Sequence, residues 1–132
     1  MTEALMTIRE MSEAYSVTAR TLRFYEGKEL LAPLREGQKR LFTRRDRARL
    51  TLILRGKRFG FSLEEIRQLL ELYDRDDSQL TQLTRTHDVA QARLADMEHQ
   101  RADLDLAIAD LRAELATVGA MIAARRQSTA AE

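Results

Sequence analysis

The side chains best placed to do chemistry in this sequence are cations. Between Arg35 and Arg58, ten Lys or Arg stand against only Glu36 and Asp46, a net charge of +8. Just upstream, the run Thr18-Ala-Arg-Thr-Leu-Arg23 sets Arg20, Thr21 and Arg23 around an apolar Leu22. On a helix that spacing turns Leu22 inward and leaves the other three to donate to phosphates and guanine edges. Covalent chemistry has much less to work with. The chain has no cysteine and two histidines, His87 and His99. Disulfides, thiolate metal sites, iron–sulfur clusters and thiol nucleophiles are therefore excluded, and ligands are too few for a typical zinc site. Without a Gly-rich phosphate loop either, the residues point to binding rather than catalysis, with no catalytic residue, no metal site and no cofactor expected.

The formal net charge of +1 over 132 residues conceals an asymmetry. Residues 1–75 hold 16 Lys or Arg and 11 Asp or Glu, net +5, whereas residues 76–132 hold 6 and 10, net −4. The length fits one compact domain with an appended element. Only five Gly and one Pro, among many Leu, Ala, Glu and Arg, predict a mainly α protein. A sandwich or barrel would need more turn residues. No stretch approaches the ~18 apolar residues of a membrane span, and Met1 to Met11 lacks a signal peptide's basic start and apolar core. A soluble, cytoplasmic protein with no membrane partner is expected.

Four hydroxyl residues mark helix starts, each capping orphan amides and each assisted by a partner three residues on, an apolar staple, or both. Thr7 has Glu10 as box partner and Met6 with Met11 as staple. Ser62 has Glu65, and Phe61 with Ile66. Thr18 has only its staple, Val17 with Leu22, and Thr43 has Asp46 but no apolar residue at Arg47. Helices are predicted over 7–14, 18–26, 43–58 and 62–74. The first two, with Ser12 and Ser16 at the turn, have helix-turn-helix spacing, whose second helix enters the major groove. Taken alone, that second helix also reads as an ordinary amphipathic helix with solvated arginines. Leu34 to Phe42 follows Pro33 and turns at Gly37, giving either a β-hairpin or an irregular loop, since Glu, Lys and Gln are poor strand formers. Its basic tip, Lys39 and Arg40, has a use only if something anionic faces it.

The back half has a different regularity. From Leu80, steps of three and four run unbroken through Leu83, His87, Ala90, Leu94, Met97, Arg101, Leu104, Ile108, Leu111, Leu115, Val118 and Ile122. That is a coiled-coil seam, about 65 Å long if all helical. One helix cannot bury such a stripe, and with no second long helix in the chain the simplest partner is another copy, making a homodimer. Leu94, Met97, Leu104, Ile108, Leu111 and Leu115 are the expected dimerisation residues. Charges leave the strand direction open. His87 reads as a structural residue or an effector contact, and Arg101 as a snorkelling cation that reaches Glu98 or Asp105.

The run Thr7-Ile-Arg-Glu-Met, then Val17-Thr-Ala-Arg-Thr-Leu-Arg-Phe-Tyr-Glu26, Leu30-Leu31, Arg40-Leu-Phe42 and Gly60-Phe-Ser-Leu-Glu-Glu-Ile66 closely resembles the MerR family of bacterial transcriptional regulators. The resemblance covers residues 5–75 in detail and the coil behind them in kind. It implies a winged helix-turn-helix DNA-binding domain over 1–75, whose wing is the hairpin. A long C-terminal dimerisation helix, an antiparallel coiled coil, would follow over 76–123, and composition adds a disordered tail over 124–132. It also implies a homodimer that bends and untwists a long promoter spacer at a pseudo-palindromic operator so that RNA polymerase can engage it. By position, Thr18 caps the recognition helix, Arg20 and Thr21 face base edges, and Arg23 and Tyr25 contact phosphate. Lys39 and Arg40 belong to the wing, and Lys57 or Arg58 holds a flanking phosphate. Phe24 stands where the family often has Tyr. Ser16 and Glu29 stand where it often has Gly, a substitution that costs about 1 kcal/mol wherever φ is positive.

Metal and redox sensors of the family carry cysteines, and drug sensors carry a large added domain. This chain has neither feature, so an effector binds between coil and heads, or control is by abundance. Residues 53–74 are similar to a cysteine-free branch controlling catabolism of branched-chain amino acids and fatty acids, which implies an acyl-CoA or related catabolite as effector. The competing reading is a coiled-coil adaptor whose basic front binds RNA or an acidic protein.

Overall fold

The computed structural model describes residues 4–74 and 80–131. Its elements run β1 (Met6–Thr7), α1 (Ile8–Tyr15), α2 (Ala19–Gly27), β2 (Leu34–Glu36), β3 (Lys39–Phe42), α3 (Arg44–Arg58), α4 (Leu63–Asp74) and α5 (Leu80–Ala131). They form two compact units, residues 1–86 and 87–132. The first unit extends past the expected domain boundary at 75/76, which itself lies outside the described residues.

The helices α1 to α4 each start where a local cap directs them. Thr7 and Glu10 close a reciprocal box, with Glu10 N donating to Thr7 Oγ1 at 3.1 Å and Thr7 N to Glu10 Oε1 at 2.9 Å. Ser62 and Glu65 do the same at 3.1 and 2.8 Å. Thr43 and Asp46 close a third box, at 3.2 and 3.0 Å. Thr18 accepts from Thr21 N at 3.0 Å. Each satisfies amides that a first helical turn leaves orphaned. Asp46 does more, because its second oxygen accepts Ala32 N at 3.0 Å and so ties the loop before β2 to the start of α3. It is 3% exposed, and these bonds are what make so deep a carboxylate tolerable.

Residues 34–42 form the hairpin, β2 against β3, with the pairs Leu34–Leu41, Arg35–Arg40 and Glu36–Lys39. Gly37, at φ 65°, opens its two-residue turn, a place that favours glycine. A third strand, β1, pairs antiparallel with the other edge of β3 through Met6–Phe42 and Thr7–Leu41. Two residues carry no alternation pattern, so nothing in their sequence marks them as a strand.

Met11, Leu22, Tyr25, Leu30, Leu31, Phe42, Leu50, Ile53, Ile66 and Leu70 make one core, drawn from α1, α2, the sheet, α3 and α4. The turn from α1 to α2 passes through Ser16 at φ 55°, whose N–H, like that of Val17, donates to Ser12 O. Glu29 sits at φ 61°. Both positions where glycine is usual in the resembling family thus hold side chains in left-handed backbone.

α5 is a single uninterrupted helix with no buried residue in one copy of the chain, exposed throughout except at the half-buried Gln82, Thr86, Val89 and Arg93. Its apolar seam is open, with Leu94, Leu104, Leu111 and Leu115 each more than half exposed. Two expectations need correction. The helix runs through Ala131, where composition suggested a disordered tail from residue 124; Ala123, Ala124, Arg125, Arg126 and Gln127 are strong helix formers that simply extend it. Arg101 makes no ion pair with Glu98 or Asp105 among the described residues. Among the described residues His87 comes within ion-pair distance of its neighbour Asp88, at 3.6 Å on an exposed face.

Candidate nucleic-acid interface

α2 presents the first group of expected contacts. Its cap, Thr18, also shares a hydroxyl–hydroxyl hydrogen bond of 2.9 Å with Thr21, which ties down the Thr21 side chain. Leu22 is fully buried, and that anchors the helix with Arg20 and Arg23 outward. Neither arginine has an ion pair or hydrogen bond within the described residues. Two unpartnered guanidiniums one helical turn apart present a fork of donors to an anion.

Tyr25 and Phe24 occupy opposite environments. The Tyr25 ring is buried at 2% exposure, while its hydroxyl has no hydrogen-bond partner among the described residues. Burial pushes its pKa up, so the hydroxyl remains a donor throughout the neutral range. Phe24 is 46% exposed, with Lys28 Nζ 5.7 Å from its ring centroid, a cation–π distance.

The hairpin holds the second group. Lys39 is exposed near its tip. Arg40 is not free: its Nε donates to Glu26 Oε2 at 2.5 Å, and its side chain is only 22% exposed. The other oxygen of Glu26 accepts Arg35 Nη2 at 2.7 Å. Arg35 and Arg40 face each other across the hairpin, so one carboxylate in the last turn of α2 holds both of its strands. Burial pushes the Glu26 carboxyl up, but the hydrogen bonds and charges of Arg40 and Arg35 outweigh that and leave it below the usual carboxylate range. Glu26 and Arg35 were missing from the sequence-derived set. Placing Arg35 opposite Arg40 in the hairpin register would have raised the need for a shared anion, since like charges directly opposite repel.

Lys57 and Arg58 form the third group, both exposed in the last turn of α3, where cations favour the helix C-terminus. Three other arginines of the helix are structural. Arg49 bonds Asp74 and donates to Leu30 O at 2.7 Å, Arg45 reaches the same Asp74 oxygen at 2.9 Å, and Arg47 donates to Ala4 O at 2.9 Å. The +8 segment is therefore divided between holding α3 to its neighbours and facing solvent. Among the described residues no three His, Asp or Glu side chains cluster as metal ligands. No described helix is long and apolar enough to cross a membrane.

Comparison with known proteins places this geometry. Residues 6–73 match the family model for the MerR HTH family regulatory protein, and residues 47–118 that for MerR, DNA binding. The HTH-type transcriptional regulator HmrR of Rhizobium leguminosarum bv. viciae is 34% identical over 100 residues, which cover 75% of each chain. ZntR of Escherichia coli, also an HTH-type transcriptional regulator, is 34% identical over 99 residues, 74% of this chain and 69% of that one. Among solved structures, HiNmlR, a MerR family regulator lacking the sensor domain and bound to promoter DNA, matches with TM-score 0.60 and 25% identity over 77% of this chain and 76% of its own. The lead(II) complex of PbrR691 from Ralstonia metallidurans matches with TM-score 0.61 and 33% identity over 81% and 84%. With a capped α2, a hairpin clamped to it and matched models across most of its length, the chain belongs to the MerR family of helix-turn-helix regulatory proteins, and it does so without a single cysteine.

Proposed function

We propose that the chain is a sequence-specific, double-stranded DNA-binding transcriptional regulator. It acts as a homodimer on a pseudo-palindromic promoter operator, bending and untwisting the spacer so that RNA polymerase can engage the promoter. The observation that carries this reading is the pair Arg20 and Arg23, exposed on a capped and anchored helix without protein partners. In this reading Arg20 and Thr21 face base edges, while Arg23 and the Tyr25 hydroxyl donate to phosphates. Thr18 sets the helix start, Lys39 contacts phosphate from the wing, and Lys57 or Arg58 holds the flanking strand. Arg40 serves the wing as well, though its guanidinium is already bonded to Glu26. Phosphate contacts of this kind position the protein, and base contacts specify the site.

Residues 1–75 form the DNA-binding part and 76–123 the dimerisation helix. The second copy would cover the seam of Leu94, Met97, Leu104, Ile108, Leu111 and Leu115 in an antiparallel coil. An acyl-CoA or related catabolite is the proposed effector, on the similarity of residues 53–74. The first unit contains a cleft of about 160 Å³ lined by Gln68, Glu71, Leu72, Gln82, Arg85 and Thr86. That is smaller than the roughly 300–1,000 Å³ of ordinary ligand pockets, so a CoA thioester would need space beyond it. Calorimetric titration with acyl-CoAs, read alongside operator affinity, tests that part alone.

For the main reading, fluorescence anisotropy with duplexes selected from a random pool is the test. Arg20→Ala should weaken binding at least tenfold while circular dichroism keeps the wild-type helix content. Unchanged affinity, or loss of helicity, would refute the role given to α2's exposed face.

A further inference from the structure

We propose that Glu26 is a positioning residue for operator discrimination: it fixes the wing against the recognition helix, although its own charge opposes the approach of DNA. This deepens the DNA-binding reading above and rests on it.

The hairpin is held unevenly along its length. On its far edge, β1 pairs with β3 only at Leu41 and Phe42, the two residues nearest the base. Beyond that level toward the tip, Arg35 to Lys39 are all exposed. The first pair above the base is Arg35 with Arg40, and both reach Glu26, one on each carboxylate oxygen. A single side chain on α2 therefore grips both strands just where the sheet stops constraining them. A carboxylate that bridges two guanidiniums, one charge-assisted hydrogen bond on each oxygen, restrains both strands relative to α2 at once.

Charge gives the same assignment. Arg35 and Arg40 directly opposite each other would repel and splay the hairpin in the absence of a shared anion. With Glu26 between them the triad keeps a net single positive charge. A carboxylate beside a DNA-facing surface weakens phosphate attraction for every sequence alike. Its presence is explained if reading an operator requires helix and wing in fixed relation, because recognition sites must be held to within about 0.5 Å. Non-specific attraction needs only charge and tolerates a loose wing.

Those two effects have opposite signs in one experiment. Full-length wild type and Glu26→Gln are compared for affinity toward a duplex selected by the wild type and toward a random duplex of the same length, across a salt series. Glu26→Gln should bind the random duplex two- to fivefold more tightly, with a salt slope steeper by about one unit. Its preference for the selected duplex should fall about tenfold. Unfolding cannot produce that pattern, because it would lower both affinities. If the preference is unchanged, Glu26 is only a surface charge and the proposal is overturned. If wild type itself shows no preference among duplexes, the DNA-binding reading fails first. Should Glu26→Gln lose helicity, Arg35→Gln removes one arm of the clamp from the exposed side, and an unchanged preference there would equally overturn the proposal.

Discussion

A Cβ placed on Gly56 would stand 2.8 Å from Cγ1 of Ile66, so α3 and α4 meet across a glycine that no larger residue can replace without displacement. Ile66 is fully buried, with little room to yield. Gly56→Ala should therefore destabilise the protein by about 1–3 kcal/mol, despite alanine's better helix propensity. Urea unfolding measures this. A double-mutant cycle with Ile66→Ala should show the two changes to be strongly non-additive.

Two left-handed residues, one in the turn between α1 and α2 and one just after α2, offer the reverse opportunity. Ser16 and Glu29, at φ 55° and 61°, occupy backbone that disfavours any Cβ. Ser16→Gly and Glu29→Gly should each raise stability by up to about 1 kcal/mol, the left-handed strain relieved outweighing the added chain entropy. Ser12→Ala should be neutral or slightly stabilising, because its hydroxyl is buried without a hydrogen-bond partner among the described residues. Thermal melts of the three variants check all of this.

Acid should loosen the wing before it melts the core. The Glu26 carboxyl lies below its ordinary value near 4.5, as does that of Glu10, where the Thr7 backbone and side-chain hydrogen bonds are the main causes. A depressed carboxylate contributes stability that is present above the unfolded value and lost as pH falls through the folded one. Unfolding midpoints should thus hold near neutrality and decline below about pH 4.5. Glu26→Gln should flatten part of that decline, and an equal decline in the variant would exclude Glu26 as a contributor.

How much of this was legible in the sequence depended on distance along the chain. The boxes at Thr7, Thr43 and Ser62 need partners only three residues away, so residue type and spacing sufficed to locate the starts of three helices. Ser16 and Glu29 were legible through the resemblance. The hairpin was one of two readings, because its strands contain Glu, Lys and Gln, and what decides for the sheet is β1, two residues some 35 positions upstream of its partners. The clamp at Glu26 joins residues 9 and 14 positions apart through side chains, and Asp46 reaches Ala32 across 14. No local pattern encodes such contacts. The end of α5 is ambiguous for another reason: its short polar composition suits a disordered tail, while its alanines and arginines favour continued helix.

The open seam of α5 sets up a test of the dimer. The chain should sediment as a dimer at micromolar concentration, and Leu104→Asp with Leu111→Asp should yield a monomer with reduced helix content, because a long amphipathic helix is marginal without its partner. A wild-type monomer would remove the homodimer from the account.

Whether two copies of this fold read an operator together is decided by selecting bound duplexes from a random pool. The selected duplexes should share an inverted repeat, each half-site met by α2 of one protomer, with half-sites spaced to face successive major grooves. Recovery of no common sequence, or of a single half-site without its repeat, would contradict it.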